Sequence, residues 1–349
     1  MFSTIELILL LCVLLYITDI LWLRIGLLRT SSKKELQKLV FPFVTVVVAA
    51  RNEEKNILQC LESLSQLEYP QDKIEIIVVD DRSTDKTSSI VTTFIKQFSH
   101  FRLIQIKTEG TTIKGKANAL AVALDEARGE IFMFTDADCS VSSKWVKTTI
   151  KNFGDSIGIV GSYTLLNAEN TFEGIQALDW LIHFSVSAAL AGNNVPLTVI
   201  GNNFSISKKA YDGVNGFRGI PFSITEDYAL ALAVLKQTKF RVKFLLNSET
   251  LVKSFPCETW KQIYRQKQRW GFGANEMVLP GIIVIGLGYI THLLLLCSFF
   301  LVPVMFLWKL FAAKFLADIF LLWKPMKEFR ARRLLKYFIP FEIYFYLYG

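Results

Sequence analysis

From Met277 to Trp308 the chain runs for 32 residues without an aspartate, glutamate, lysine or arginine. At 1.5 Å per residue this is about 48 Å of helix, too long for one untilted crossing of a bilayer core about 30 Å thick. The run continues through Lys309, Lys314 and Asp318 to Trp323. Two spans, about 278–299 and 302–323 with a tight turn near Pro303, divide it best. Lys314 and Asp318 stand four apart on one helix face, so they can pair with each other or face a neighbouring helix. A further apolar run, Leu7 to Leu23, is broken only by Asp19 and suffices for a short span. No lysine or arginine precedes it and positive charges follow, so it reads as an uncleaved anchor whose C-terminal end is cytoplasmic. Tyr337 to Gly349 is a last apolar stretch, either a shortened span or an interfacial segment.

Charge supports this topology. The net charge of +8 would, on its own, suit a nucleic-acid binder. Residues 29–38 carry +3 (Arg29, Lys33, Lys34 and Lys38 against Glu35). Residues 324–336 carry +5 (Lys324, Lys327, Arg330, Arg332, Arg333 and Lys336 against Glu328). These two flanks of apolar runs account for the whole excess, so nucleic acid is not an expected partner and membrane lipid is. Both flanks should be cytoplasmic, which demands an even number of crossings between them. At 52% hydrophobic and 20% charged, the chain is neither disordered nor an ordinary soluble protein. Its length supports one full α/β core with extra elements. Cys12, Cys60, Cys139, Cys257 and Cys297 form no CxxC pair or metal spacing. His100, His183 and His292 are too scattered for a histidine cluster.

Between the anchors, residues 39–256 alternate apolar strands with helical patterns. The strands expected are 43–50, 74–79, 101–107, 130–135 and 157–166. Helices are expected over about 53–67, 85–98, 114–128, 143–153, 171–191 and 225–237. Such alternation predicts parallel βαβ units and a doubly wound α/β sheet, whose ligands sit beyond the C-terminal strand ends.

That is where the chemistry gathers. The first strand ends in Ala50-Arg51-Asn52-Glu53-Glu54, the second in Asp80-Asp81-Arg82-Ser83-Thr84-Asp85, and the fourth in Thr135-Asp136-Ala137-Asp138. Asp85 also suits a helix cap. Buried acidic pairs are costly unless paired or bound to metal, so these clusters point to a divalent cation, Mg²⁺ or Mn²⁺. Lys114-Gly115-Lys116 opens a helix, suiting a phosphate at a helix N-terminus. Gly201-Asn202-Asn203 follows a short apolar run. Thr225-Glu226-Asp227 begins a helix and can equally be read as a cap with two acids on the helix dipole. Gln266-Lys267-Gln268-Arg269-Trp270 lies among aromatic and basic residues just before the long apolar run, as a helix in the membrane interface would.

In this order, the motifs resemble those of membrane-bound family 2 glycosyltransferases with the nucleotide-diphospho-sugar transferase (GT-A) fold. The resemblance covers about residues 43–276 and is strongest to the branch of cellulose, hyaluronan, chitin and poly-N-acetylglucosamine synthases and ceramide glucosyltransferase. It rests on Asp81 in DDRSTD, the DxD of Asp136 and Asp138, the acidic pair Glu226-Asp227, and Gln266-x-x-Arg269-Trp270. It implies that Asp81, with Asn52 or Glu53, contacts the nucleoside and that Lys116 lies near the nucleotide. Asp138 would hold Mg²⁺ or Mn²⁺ against the diphosphate, with Asp136 assisting or binding ribose. Asp227 would be the general base of an inverting transfer, beside Glu226. Arg269 suits the diphosphate, Trp270 the acceptor, and Gln266 belongs to the same substrate-binding motif. By the same resemblance, Gly201 and Asn202 would form the acceptor-side loop.

The expected organisation is a membrane anchor (1–28), a cytoplasmic catalytic domain (39–256), an interfacial helix (257–276), two spans (277–300 and 301–323), and a basic loop with an incomplete apolar segment (324–349). This describes a multi-pass protein of a bacterial inner membrane. The donor implied by the resemblance is a nucleotide sugar, UDP-linked. Transfer is expected to a membrane lipid or lipid-linked acceptor, because three or four spans are few for the polymer channel of the resembling synthases. A processive polysaccharide synthase is the alternative, with an oligomer or partner subunit completing a channel. A haloacid-type phosphatase would explain Asp136 and Asp138, but not Asp227 or the QxxRW segment. A non-catalytic membrane protein explains none of the acidic clusters.

Overall fold

The computed structural model describes residues 2–30, 41–110, 113–195, 201–274 and 279–348. Lys33, Lys34, Glu35 and Lys38 of the first basic flank, and the start of the long apolar run at Met277, lie outside them. In chain order, α1 (Thr4–Thr30) precedes β1 (Val44–Ala50), α2 (Ile57–Ser65), β2 (Ile74–Asp81), α3 (Thr87–Ile95), β3 (Phe101–Ile106), α4 (Gly115–Asp125) and β4 (Ile131–Asp136). There follow β5 (Ser140–Val141), α5 (Trp145–Ile150), β6 (Ile157–Ser162), β7 (Thr164–Leu166), α6 (Thr171–Gly192), β8 (Phe204–Ser207) and α7 (Lys208–Asp212). The remainder is α8 (Glu226–Gln237), β9 (Arg241–Leu245), β10 (Val252–Ser254), α9 (Trp260–Ala274), α10 (Leu279–Cys297), α11 (Val304–Glu328) and α12 (Phe338–Tyr348). Two compact units result, one of residues 33–166 and 198–276, the other of 1–32, 167–197 and 277–349.

The first unit is a three-layer α/β sandwich. Its seven strands run in the order β3-β2-β1-β4-β8-β6-β9. Alternate side chains feed opposite faces, as the pleat requires. Val44, Val46 and Val48 pack with Ile57, Cys60, Leu61 and Leu64 of α2. Val47 and Val79 pack on the other face with Ala119, Leu120 and Ala123 of α4 and Leu230 and Val234 of α8. Both faces are covered, so β1 and β2 read as nearly continuous apolar runs. The four strands β3, β2, β1 and β4 are parallel. The sheet is nevertheless mixed, because β8 runs antiparallel to both β4 and β6.

The expected strand 157–166 is two strands in two sheets. Tyr163, fully buried against Phe244 with ring centroids 5.6 Å apart, marks the break. Its carbonyl accepts from Asn203 Nδ2 (2.6 Å) and from the Val252 amide (3.1 Å), so the ladder turns there. Beyond it β7 joins a small sheet ordered β5-β10-β7.

The second unit is helical and contains α6, although the sequence reading places 171–191 within the 39–256 span. Gly26 of α1 lies against the backbone of Ala189 and Gly192 of α6, leaving no room for a Cβ. Small residues allow such close helix crossings. Asn193 Nδ2 donates to the Trp22 carbonyl (2.8 Å), and Lys324 Nζ to that of Leu27 (2.9 Å). Lys314 and Asp318 pair at 2.7 Å and also reach other helices, Tyr16 of α1 donating to Asp318 and Lys314 to Glu342 of α12. Both sequence-level options for this pair are therefore realised. Among the described residues, two helices are long and apolar enough to cross a membrane, Thr4–Thr30 and Leu279–Phe300. The expected span 301–323 falls largely within α11, which Lys309, Lys314 and Asp318 make more polar. The last apolar stretch forms α12, which packs on α6 with Phe338, Phe341 and Tyr344 buried.

Candidate active site

Parallel register places Ala50 opposite Asp80 and Ala49 opposite Asp136, so the segments leaving β1, β2 and β4 emerge side by side. The first two are tied to each other. Asn52, in the left-handed region at φ 57, accepts the Thr84 amide on Oδ1 (2.8 Å), and its own amide donates to Ser83 Oγ (3.0 Å). Asn tolerates that backbone better than most residues. Asp80 accepts the Ser83 amide (3.1 Å), while Asp85 accepts the amides of Thr87 (2.9 Å) and Glu54 (3.1 Å). Asp85 thus shapes the turn into α3. Asp81 is buried and held in a two-pronged ion pair by Arg82, at 2.8 Å and 3.3 Å. Glu53 accepts from Asn56 Nδ2 (2.9 Å). Burial pushes its carboxyl up, the Asn56 bond opposes this, and the charges of Asp138 and Asp136 add to the rise.

The DxD pair meets a cation from α4. Gly115 starts that helix at φ +59, a conformation suited to glycine. Next to it, Lys116 Nζ lies 2.5 Å from Asp136 Oδ1 and 3.8 Å from Glu226 Oε1. Burial works against the ammonium, but Asp136, Glu226 and Asp227 outweigh it and keep Lys116 protonated. Among the described residues, Asp138 has no cation in contact. Its Oδ1 accepts from the Cys139 thiol (3.3 Å) and its Oδ2 from the Ser254 hydroxyl (3.1 Å). Burial, followed by the charge of Asp136, pushes its carboxyl up.

A half-compensated carboxylate pair of this kind fits a hard divalent cation. Among the described residues, no group of three or more histidine, cysteine, aspartate or glutamate side chains could hold a metal ion unaided. Ligands beyond Asp138 and Asp136 would then come from phosphate and water, a usual arrangement for Mg²⁺.

Asp227 sits in the first turn of α8. Thr225 occupies the cap position without a side-chain capping bond, while Glu226 and Asp227 stand in the first turn, as the helix-dipole part of the capping reading has it. Asp227 Oδ1 accepts the Tyr228 amide at 2.9 Å. Burial and then Glu226 push its carboxyl up to about 7, with Lys116 and the amides of Tyr228 and Gly201 pulling the other way. A Cβ on Gly201 would stand 3.1 Å from Asp227 Oδ2, so a larger residue there would crowd that carboxylate. Asn202 is buried and accepts from Thr164 Oγ1 (2.9 Å). Asn203, absent from the sequence-derived candidates, holds the same loop by accepting from Trp145 Nε1 (3.0 Å) and donating to the Tyr163 and Thr250 carbonyls.

The QxxRW segment lies on α9. Thr259 and Gln262 form a capping box, with Gln262 Oε1 accepting the Thr259 amide (3.1 Å) and Thr259 Oγ1 that of Gln262 (3.3 Å). Trp260 and Tyr264 share an exposed face, while Ile263 is buried. Gln266 and Trp270 are half-buried and Arg269 is exposed, with Lys267 Nζ 5.2 Å from the centre of the Trp270 ring. Cys257, just before this helix, lies within electrostatic reach of both Arg269 and Asp138. Burial pushes its thiol up, Arg269 draws it down and Asp138 raises it again.

Direct contacts therefore unite Lys116, Asp136 and Glu226, and join Gly201 to Asp227. Electrostatic reach adds Glu53 to Asp136 and Asp138. The Asn52 side chain is engaged by the turn after β2, Asp81 by its neighbour Arg82, and Asn202 by Thr164 of β7. Ser254, Cys139 and Arg82 are the neighbours that sequence reasoning missed. A serine in a three-residue strand carries no signal, whereas the Thr259-x-x-Gln262 box was readable.

The sequence profile described as Glycosyl transferase family 2 matches residues 45–227. The chain is 29% identical over 252 residues to the beta-monoglucosyldiacylglycerol synthase of Nostoc sp., covering 71% of this chain and 52% of that protein. It is 27% identical over 260 residues to the poly-beta-1,6-N-acetyl-D-glucosamine synthase of Staphylococcus epidermidis, covering 73% and 58%. The chain thus spans little more than half the length of these curated relatives. In fold it is similar to the mannosyltransferase PcManGT of Pyrobaculum calidifontis, solved with GDP-Man and Mn²⁺, at TM-score 0.62 and 19% identity over 99% of both chains. With more than half of its length matched by the profile, the chain belongs to glycosyl transferase family 2.

Proposed function

We propose that this chain is an inverting, metal-dependent glycosyltransferase that moves a sugar from a nucleotide-sugar donor, UDP-linked, to a membrane lipid or lipid-linked acceptor. The observation that carries this reading is the Lys116 bridge, 2.5 Å from Asp136 and 3.8 Å from Glu226, which joins the DxD turn to the helix bearing Asp227. Donor and acceptor chemistry can then share one site.

Asp227 takes the proton of the acceptor hydroxyl while that oxygen bonds to the anomeric carbon and the bond to the nucleoside diphosphate breaks. Attack from the face opposite the leaving group inverts the anomeric centre. A carboxyl pushed up to about 7 is basic enough to accept that proton near neutral pH. Asp138 and Asp136 would hold Mg²⁺ or Mn²⁺, which when bound supplies Lewis-acid stabilisation of the charge growing on the diphosphate. Lys116 and Arg269 add cationic partners for the same phosphates. Asp81 and Glu53 line the nucleoside side, Arg82 giving up its hold on Asp81 as the base enters. Gly201 lets the acceptor loop close on Asp227, and Gln266 and Trp270 complete the acceptor side.

A lipid acceptor suits the surface next to the base. Phe222 (61%) and Ile224 (49%) are exposed in the loop that leads into Asp227, and Trp260 and Tyr264 are exposed on α9. Aromatic and basic residues together are what a helix in the membrane interface presents. In this reading α1 and the apolar helices from α10 onward anchor a cytoplasmic catalytic domain. The likeness to a poly-N-acetylglucosamine synthase favours a second reading, a polymer product of the same chemistry.

One experiment separates them. Purified protein in lipid is given a panel of nucleotide sugars and the products are weighed by mass spectrometry. A single-sugar glycolipid is expected, abolished by EDTA and restored by Mn²⁺ or Mg²⁺. A long polymer would establish the second reading, and chelator-resistant transfer would remove Asp136 and Asp138 from a metal role.

A further inference from the structure

Strand β10 links two parts of the site that lie far apart in sequence. Val252 and Lys253 pair antiparallel with Val141 and Ser140 of β5, the short strand that follows Asp138 and Cys139. On its other side β10 pairs in parallel with β7. Ser254 ends this strand, buried at 3% exposure, and its Oγ donates to Asp138 Oδ2 at 3.1 Å across 116 residues of chain. The other oxygen of Asp138 takes the Cys139 thiol at 3.3 Å. A thiol is a weak donor and a hydroxyl a much better one. Ser254 is thus the stronger of the two groups that set the Asp138 rotamer. Being neutral, it orients the carboxylate without cancelling its charge, as a lysine or arginine there would.

We propose that Ser254 is a positioning residue for Asp138, fixing its carboxylate in the orientation that receives a divalent cation and its diphosphate. This rests on the metal-dependent reading given above. Outer partners of this kind are generally worth about ten- to a hundredfold in metal affinity. The small sheet β5-β10-β7 gains a purpose from it: it delivers one hydroxyl to the far side of the DxD turn.

The test is a titration of the full-length protein in detergent–lipid micelles with Mn²⁺, in the presence of UDP or of GDP, whichever binds the wild type more tightly. Free Mn²⁺ is read by electron paramagnetic resonance, so no turnover is needed. Ser254→Ala should weaken Mn²⁺ binding about tenfold or more. Ser254→Thr, which keeps the hydroxyl, should restore most of the affinity, and Ser254→Cys, with its weaker donor, should fall between. A purely structural Ser254 would lower the metal-free melting temperature and leave the affinity of the folded protein unchanged, and that result overturns the proposal. If Ser254→Ala does not fold, equal affinities for the Cys and Thr variants overturn it instead. Asp138→Asn is the control. Mn²⁺ bound by this variant as by the wild type would overturn the metal site itself, whereas loss there with full binding in Ser254→Ala would sink only the role given to Ser254.

Discussion

Two carboxylates at opposite ends of the central sheet, the buried Glu75 and the half-buried Asp138, are handled in different ways. Where the strands begin, Glu75 of β2 is 1% exposed and surrounded by protein donors. It accepts Thr45 Oγ1 (2.6 Å), the Arg128 amide (2.6 Å) and Arg128 Nε (3.1 Å), with Arg102 at 3.5 Å. Where the strands finish, Asp138 receives, among the described residues, a thiol and a hydroxyl; Asp136 pushes its carboxyl up further, and the more distant charge of Lys116 offsets this only in part. Burial costs an ionised group several kcal/mol unless its charge is met. One end meets it from within the chain, which is how a structural carboxylate behaves. At Asp138 the charge is met less fully, which suits the proposed role in holding a cation that arrives with the substrate.

That contrast predicts opposite consequences for removing a carboxylate. The largest effect is expected at Asp227. Asp227→Asn should lower transfer by about a hundred- to ten-thousandfold. Its nucleoside diphosphate affinity and melting temperature should stay near those of the wild type. Steady-state turnover with calorimetric titration of the diphosphate checks this, and undiminished turnover would remove Asp227 as the base. At the opposite end, Glu75→Ala should cost about 1–3 kcal/mol of stability, because Thr45 and the Arg128 amide lose a buried acceptor. Turnover per folded molecule should not change. Denaturant unfolding alongside the transfer assay measures both, and a stable but inactive Glu75→Ala protein would erase the distinction between the two ends.

Much of this contrast is legible without coordinates, and the rest is hidden for identifiable reasons. Strands β1, β2 and β4 announce themselves as apolar runs, and in parallel register their ends must meet at one edge. That alone collects Asn52, Asp81, Asp136 and Asp138. Sequence does not say which polar groups are used up locally. The αL turn at Asn52 and the Arg82 clamp on Asp81 depend on loops that close only in three dimensions. The break at Tyr163 arises from bonds to Asn203 and Val252, far along the chain. Helix α6 reads as one more helix of the α/β domain, yet its small residues match Gly26 of α1, a complementarity visible only when both helices are placed. Ser254 is the extreme case, one hydroxyl whose target lies 116 residues earlier.

The finest prediction concerns the cation that links the acids at the active edge. Burial and Glu226 raise the Asp227 carboxyl, and Lys116 lowers it. In the proposed mechanism Asp227 must be ionised to act as base, so kcat/KM should climb as pH rises through its value, about 7 in the ligand-free protein. The same raised value means that the folded chain holds this proton more tightly than the unfolded chain. Its contribution to stability is therefore present at low pH and lost as pH rises from about 4 towards about 7. Lys116→Gln removes the lowering charge, so the ascending limb should move to higher pH, by a fraction of a unit to about one unit given solvent screening at this half-exposed position. Absolute rate will also fall if Lys116 meets the diphosphate, so the informative quantity is the position of the limb. A limb that stays in place would uncouple Lys116 from Asp227 and confine its role to Asp136. A limb that moves down would mean that the positive charge at Lys116 does not set the basicity of Asp227, and the electrostatic link between the DxD turn and the base would have to be abandoned.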